Sequence, residues 1–265
     1  MRKALPILII LLAAAAASGQ NVVTRGPVPQ LLIPAAGAQQ GGGNTFFRSD
    51  ISLINYRSVD QRVRLQWLPE DTTGVGMAPV DITISAASGI ASEDFVTNVM
   101  QRTGLGAILV TGIDAGGSPD PSALLVASSR IWTPENGSSG TESQSLPSIA
   151  TTDISSGIVS ILGTRRDARY RMNVGIVNLA TTTQTFLVTV AGSFGSQTQQ
   201  QTVPAMAMTL FGVTGSPSTT PLQIQVVNVG APPRSANWVT YASSIDNVTG
   251  DAWTTLGFNL GPPPP

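Results

Sequence analysis

The chain has 265 residues, with 14 Lys plus Arg against 15 Asp plus Glu, and charged residues make up 11% of it, well below the roughly 25% of an average soluble protein. It contains no His and no Cys, and its single lysine is Lys3. Beyond residue 19 this excludes a disulfide framework, a Cys or His metal site, a Ser-His-Asp triad, a Schiff-base lysine and a histidine switch, and the weakly acidic balance lacks the basic footprint of a nucleic-acid binder.

Residues 1–19 read as an export signal. Arg2 and Lys3 supply charge, residues 4–17 are almost wholly apolar, and Ala17-Ser18-Gly19 offers small residues at the cleavage positions. The apolar run is shorter than the about 20 residues that span a bilayer. The sequence therefore predicts cleavage before Gln20, a secreted, extracellular or cell-surface location, and no membrane insertion after cleavage. What remains carries 12 Arg against 15 acids, a net charge of −3.

Residues 20–29 form a polar, Pro-punctuated lead-in. Leu31, Leu32 and Ile33 make a short apolar run stopped by Pro34, the pattern of an edge strand. Residues 35–44, AAGAQQGGGN, read as a Gly-rich loop; no GK[ST] ending follows, so it is not a phosphate loop.

Two stretches organise the rest. Residues 47–55, FRSDISLIN, and 170–178, YRMNVGIVN, share an aromatic, an Arg, an Asp or Asn and a closing Asn at a separation of 123 residues, which predicts an internal repeat. Alternation places Phe47, Ile51 and Leu53 inward with Arg48, Asp50 and Ser52 outward, and Tyr170, Val174 and Ile176 inward with Arg171, Asn173 and Gly175 outward. The Arg and the acid or amide two residues on read as a same-strand pair, and Asn55 and Asn178 as turn caps. The next strand repeats at the same spacing, Val63, Leu65 and Trp67 answering Phe186, Val188 and Val190. Residues 81–85 alternate again, with a less regular counterpart at 201–205.

In the first copy Ser92 is the expected cap of a short helix carrying Asp94, Phe95 and Val99 and ending at Gly104, a plug over one end of the fold. The second copy, TLFGVTG at 209–215, is too short and Gly-broken for that helix. Strands follow at 107–111 and 224–229. Val126-Ala127-Ser128-Ser129 then answers Tyr241-Ala242-Ser243-Ser244 at 115 residues, a shortening of 8 assigned to the trimmed helix. Residues 141–149 and 252–260 close the two copies.

The expected fold is all-β: two tandem antiparallel β-sandwich domains of about seven strands each, with a short helix in the first. The divisions are 1–19 signal, 20–29 lead-in, 30–149 first sandwich, 150–156 linker, 157–260 second sandwich and 261–265 Pro-rich tail. Such a division predicts two unfolding transitions.

The FR-x-D and YR-x-N strands, the ASSRIWT and ASSIDNVTGD segments and the LGTRRDARYRMNVGIVN run resemble uncharacterised exported proteins of environmental bacteria. That resemblance implies a secreted tandem β-sandwich and brings no activity with it. By strand count alone the chain is also similar to immunoglobulin and fibronectin type III modules, without the cysteine pair of antibody domains.

Chemistry has few places to reside. Glu70-Asp71, Glu93-Asp94, Glu135 and Glu142 are the groups a carboxylate-dependent glycoside hydrolase would draw on, yet each lies beside Pro, Gly, Ser or Thr, where acids solvate or cap. No cofactor is implied except calcium, which needs only hard oxygens. Asp246, Asn247 and Asp251 are its candidate ligands, with Asp114 and Asp120 around a second Gly-rich turn; neither has EF-hand spacing, and Asn, Gly and Asp build turns without an ion. Trp132, Trp238 and Trp253 are candidate sugar-stacking faces, or core packing. Arg165, Arg166, Arg169 and Arg171 surround Asp167 and read as a solvated loop, and Asn136 and Asn247 begin glycosylation triplets. The leading expectation is a non-enzymatic structural or adhesion module whose partner is an extracellular polysaccharide or another surface protein. A carbohydrate-binding module using exposed Trp is the alternative, and a glycoside hydrolase the third.

Overall fold

The computed structural model describes residues 26–41, 45–135, 137, 139–154, 157–230 and 237–260. The expected export signal, most of the lead-in, the last three residues of the expected Gly-rich loop, Asn136, the end of the expected linker and the proline tail lie outside the described residues. Of those described, 61% are strand and 3% helix, and the sheets are antiparallel, so the expected class holds.

The N-terminal half contains β1 (Gln30–Gln40), β2 (Phe46–Asn55), β3 (Gln61–Pro69), β4 (Val80–Ile84), β5 (Ser88–Ser92), α1 (Phe95–Asn98), β6 (Gly104–Ile113), β7 (Leu125–Pro134), β8 (Thr141–Pro147) and β9 (Ile149–Ala150). The C-terminal half contains β10 (Ile158–Thr164), β11 (Tyr170–Asn178), β12 (Gln184–Gly192), β13 (Gly195–Val203), β14 (Ala207–Gly212), β15 (Leu222–Asn228), β16 (Trp238–Asp246), β17 (Ala252–Leu256) and β18 (Phe258–Asn259). Among the described residues each half holds nine strands where about seven were expected, and together they form three sheets. The C-terminal strands make a five-stranded sheet, β13-β12-β15-β10-β18, and a four-stranded one, β14-β11-β16-β17. The N-terminal strands make a single nine-stranded sheet along β4-β3-β6-β1-β2-β7-β8, with β5 beside β2 and β9 beside β1.

The joining of layers is the work of β1, where the sequence reading needs its main correction. Pro34 does not stop the strand, and residues 35–40 are not loop. Pairing with β6 runs from Gln30 to Ile33, breaks, and resumes at Ala36. A bulge is where a proline lacking its N–H can sit in a sheet. Leu31 and Ile33 face the N-terminal core, and past the bulge Ala36 and Ala38 do, so the alternation changes parity. The strand then crosses over to pair Gln39 and Gln40 with Phe47 and Phe46 of β2. An expected edge strand is instead central.

The expected linker is also partly structured: Ala150 pairs with Leu31 in β9, and residues 151–153 form a 3-10 turn. In α1 the cap is Asp94, whose carboxylate accepts from Thr97 N at 3.3 Å, while Ser92 ends β5. Phe95, Val96 and Met100 are fully buried against the first core, as a plug requires.

Asn55 and Asn178 make matching contacts. The Asn55 amide donates to the carbonyls of Val59, Ile84 and Ser85, and its oxygen accepts from Arg57 N. The Asn178 amide donates to Thr182, Val203 and Pro204, and its oxygen accepts from Ala180 N. Each thus closes its own turn and clamps the point where the chain changes layers, between β4 and β5 or between β13 and β14. Both crossings turn on a non-glycine residue with positive φ, Ala87 at 47° and Met206 at 49°. The cost of that conformation is offset by backbone bonds from Ala87 N to Arg57 O and from Met206 N to Ala180 O.

Strand register corrects the sequence spacing. Gln61 pairs with Ile84 and Gln184 with Val203, an offset of 123 falling to 119. Val63 pairs with Gly112 and Phe186 with Asn228, giving 116. Asn55 pairs with Leu125 and Asn178 with Trp238, giving 113. The position that corresponds to Ala127 is therefore Thr240, and the ASS match at 115 is two residues out of register. A two-residue slip keeps side chains on the same face, which is why the sequence pattern does not detect it. The helical region accounts for only part of the difference in spacing; the stretch from Gln61 to its partner Ile84 is four residues longer than that from Gln184 to its partner Val203, which turns through a hairpin at Ser193 and Phe194.

Three apolar clusters hold the molecule. One lies inside the N-terminal half around Ile33, Ile51, Leu65, Trp67 and Phe95. A second lies inside the C-terminal half around Ile161, Val174, Phe186, Ile224 and Trp238. The third is drawn from both: Leu32, Ala35, Leu68, Ala107 and Leu146 meet Val177, Met208, Val239 and Tyr241. It forms because β1, β6, the second half of β11 and most of β16 are buried on both faces, so two sheets stack back to back as well as front to front. Gly175, expected to face out, is buried under the Tyr241 ring; a Cβ there would lie 2.2 Å from Tyr241 Cζ. Backbone ties reinforce the seam. Glu70 and Met208 form a parallel bridge, Asp71 N donates to Met208 O at 2.9 Å, and Gly74 N donates to Ala205 O at 3.1 Å. All three N-terminal residues belong to the longer β3–β4 connection.

Candidate functional site

The outward strand positions collect the polar chemistry, by cross-strand pairing. Asp50 and Arg130 face each other across β2 and β7, and Arg130 Nη2 lies 2.6 Å from Asp50 Oδ2. The other Asp50 oxygen accepts from Trp132 Nε1 at 2.5 Å, and that indole N–H also reaches Glu93 O at 3.2 Å. Arg48 pairs with Asp94 at 3.7 Å and lies over the rings of Phe46 and Trp132. The expected Arg48–Asp50 pair is thus not made. Opposed residues on neighbouring strands are about 4.5–5.5 Å apart, closer than residues two apart on one strand, and cross-strand partners win.

The corresponding end of the C-terminal half holds a second group. Tyr170 meets Trp253 edge to face at 5.4 Å between centroids, and Arg165 stacks on Tyr170 at 4.3 Å. Arg169 grips Asp246 through Nε at 2.7 Å and Nη2 at 2.6 Å. Arg171 donates to Asn247, Arg165 pairs with Asp167, and Arg166 donates to Ser216 O. The arginine loop is thus a locally paired one, as the sequence suggested. A shallow depression beside it is lined by Arg165, Arg166, Asp167, Ser218, Thr219 and Thr220.

The calcium candidates are engaged otherwise. Asp246 accepts from Arg169 and from Val248 N, and Arg169 together with these bonds holds its carboxyl below the usual range. Its own N–H donates to Asp251 O, and Gly250 N donates to Asp246 O, so residues 246–251 form a self-bonded turn. Arg169 and Arg171 take the oxygens of Asp246 and Asn247 that an ion would need. Asp114 accepts from Ser118 N, and Asp120 accepts from Ser122 while pairing with Arg57 at 2.7 Å. Serine and arginine bonds hold the Asp120 carboxyl low. Among the described residues no three acids gather as a metal site.

The tryptophans separate into three environments. Trp238 is completely buried, edge to face with Phe186 at 5.1 Å, and is not a ligand face. It occupies the core because it stands opposite Asn178 on the inward side of β16. Trp132 is partly buried and tied to Asp50, whereas Trp253 is 36% exposed. The sequence reads Tyr170 as an inward residue, Arg165 as part of a solvated loop and Asp50 as the partner of Arg48; that Tyr170 meets Trp253 and Asp50 meets Arg130 and Trp132 depends on cross-strand register, which composition does not carry.

The acids proposed for hydrolysis sit on different elements. Glu70 lies at the seam, where burial first, and Asp71 second, push its carboxyl above the usual range despite a bond from Leu210 N. Glu93 and Asp94 both precede α1, and Glu142 on β8 approaches Gly250. No family model matches the chain, and no curated protein matches it.

Proposed function

We propose that residues 30–149 and 157–260 are two tandem β-sandwich units derived from one duplicated ancestor, and that the chain is a non-enzymatic secreted or cell-surface module serving structure or adhesion. The observation that carries this reading is the third apolar cluster, which laminates the two units into one stiff stack and leaves polar, weakly charged faces outward. The shared Asn clamps support the duplication. Such a stack suits a spacer that holds a partner-facing end away from its anchor. Cell fractionation with amino-terminal sequencing tests it. The expected result is protein in the medium or on the surface beginning at Gln20; intact protein retained inside the cell overturns it.

Trp253 favours a second reading, a carbohydrate-binding module. It is the most exposed of the three tryptophans considered, and Tyr170, edge to face with it and covered by Arg165, gives it an aromatic and cationic neighbour. Aromatic faces stack on the apolar side of sugar rings, and arginine donates to their hydroxyls or acidic groups. Glycan-array binding abolished by Trp253→Ala, with circular dichroism unchanged, would establish it.

A further inference from the structure

The two halves treat the same sheet edge in opposite ways. In the N-terminal half the edge strand is β4, five residues long, and it carries Asp81 flanked by Arg62 and Arg64, with Arg64 bound through both Nε and Nη2. Short length and charge are the devices that keep an edge from pairing with another chain. In the C-terminal half the edge strand is β13, Gly195–Val203, with sequence GSQTQQQTV. It is nine residues long, roughly 30 Å at the antiparallel rise, and contains no charge and no proline. Its pairing with β12 is continuous from Gly192↔Gly195 to Gln184↔Val203 without a bulge. Every second residue turns its N–H and C=O away from β12, and among the described residues no strand pairs with that side.

Two details indicate what fits there. Gln197, Gln199 and Gln201 stand opposite Val190, Val188 and Phe186, so they point toward the rim of the core. Gln199 Nε2 is buried there without a hydrogen-bond partner among the described residues. A notch lined by Val190, Gln197, Thr198, Gln199, Val213 and Thr214 opens beside it. The strand is also nearly its own complement when reversed about Gln199, setting Gln197 against Gln201, Thr198 against Gln200 and Ser196 against Thr202.

We propose that β13 is a self-association edge: a second copy of this chain adds its own β13 antiparallel across a two-fold axis at Gln199, continuing the five-stranded sheet into the neighbouring molecule. Backbone bonds supply the attraction, and the glutamines that face one another across the axis fix register. No like charges are brought together, because the strand has none. The geometry stands whether or not the surface-module reading holds.

The test is sedimentation velocity of the mature chain over a wide concentration range, with hydrogen exchange at the two extremes. The expected result is a concentration-dependent dimer in which the β13 amides are about tenfold more protected at high concentration. Combining Thr198→Lys with Gln200→Lys places lysines opposite one another across the axis, which is destabilising for a strand pair, and should weaken dimerisation at least about tenfold, roughly 1.4 kcal/mol, with an unchanged melting temperature at dilutions where both proteins are monomeric. Thr83→Lys on β4 is the matched control and should leave association as it was. A monomer at every concentration, a dimer that survives the double substitution, or protection confined to other strands overturns the proposal.

Discussion

A single asparagine amide governs each layer crossing. Asn55 and Asn178 are completely buried, and each donates to three carbonyls while accepting one N–H. Replacing either with Asp presents a carboxylate to those carbonyls, and replacing it with Ala leaves them unpaired, at roughly 1–3 kcal/mol per buried group. Urea denaturation of Asn178→Ala should therefore show a loss of about 2–3 kcal/mol, with Asn178→Asp worse. The ionisable groups give opposite pH signatures. The carboxyls of Asp81, Asp120, Asp167 and Asp246 are lowered by their arginine, serine and backbone bonds. They stabilise the fold above the unfolded value near 3.8, and that contribution disappears as pH falls through their folded values. Glu70 is raised, so the fold favours its protonated form, and its ionisation costs stability as pH rises through the folded value. Glu70→Gln should raise the melting temperature at pH 7 and leave it nearly unchanged well below pH 4.5.

At the scale of elements, β1 and α1 decide the shape of the first half. The bulge at Pro34 lets one strand serve two layers, and the plug side chain Phe95 is wholly buried. Phe95→Ala should cost about 3–5 kcal/mol in chemical denaturation, the range for an aromatic removed from a packed core. Alternation at residues 47–55, 61–67 and 184–190 is legible from composition because one face of those strands meets water. The short apolar runs at 31–33 and 107–110 also show in the sequence as strands, although 31–33 reads there as an edge and 174–177 as an alternating stretch with Gly175 outward. What they do not show is their second partner. Thus Gly175 reads as an outward residue until Tyr241 is placed above it, and Trp238 reads as a ligand face until register sets it opposite Asn178.

For the whole molecule the seam changes the expected folding behaviour. Independent units would unfold in two steps. A shared apolar layer instead predicts one calorimetric transition for the intact chain. Met208→Asp, which sets a carboxylate into that layer beside the Glu70 bridge, should separate it into two, because an unpaired buried charge costs several kcal/mol. Two transitions in the unaltered protein would mean that the seam contributes less than either core.

The amino-acid sequence by itself determined the all-β class, the recurrence of the 47–55 pattern 123 residues later, and the chemistries ruled out by missing His and Cys. Those follow from side-chain periodicity and composition, which are local. The tertiary structure decided that β1 is central, that Arg48 and Asp50 take different partners, that the Asp246 turn is held by arginine, and that the halves share a third core. Each of these is a pairing between distant residues, and a strand's alternation records which face is buried without recording what buries it.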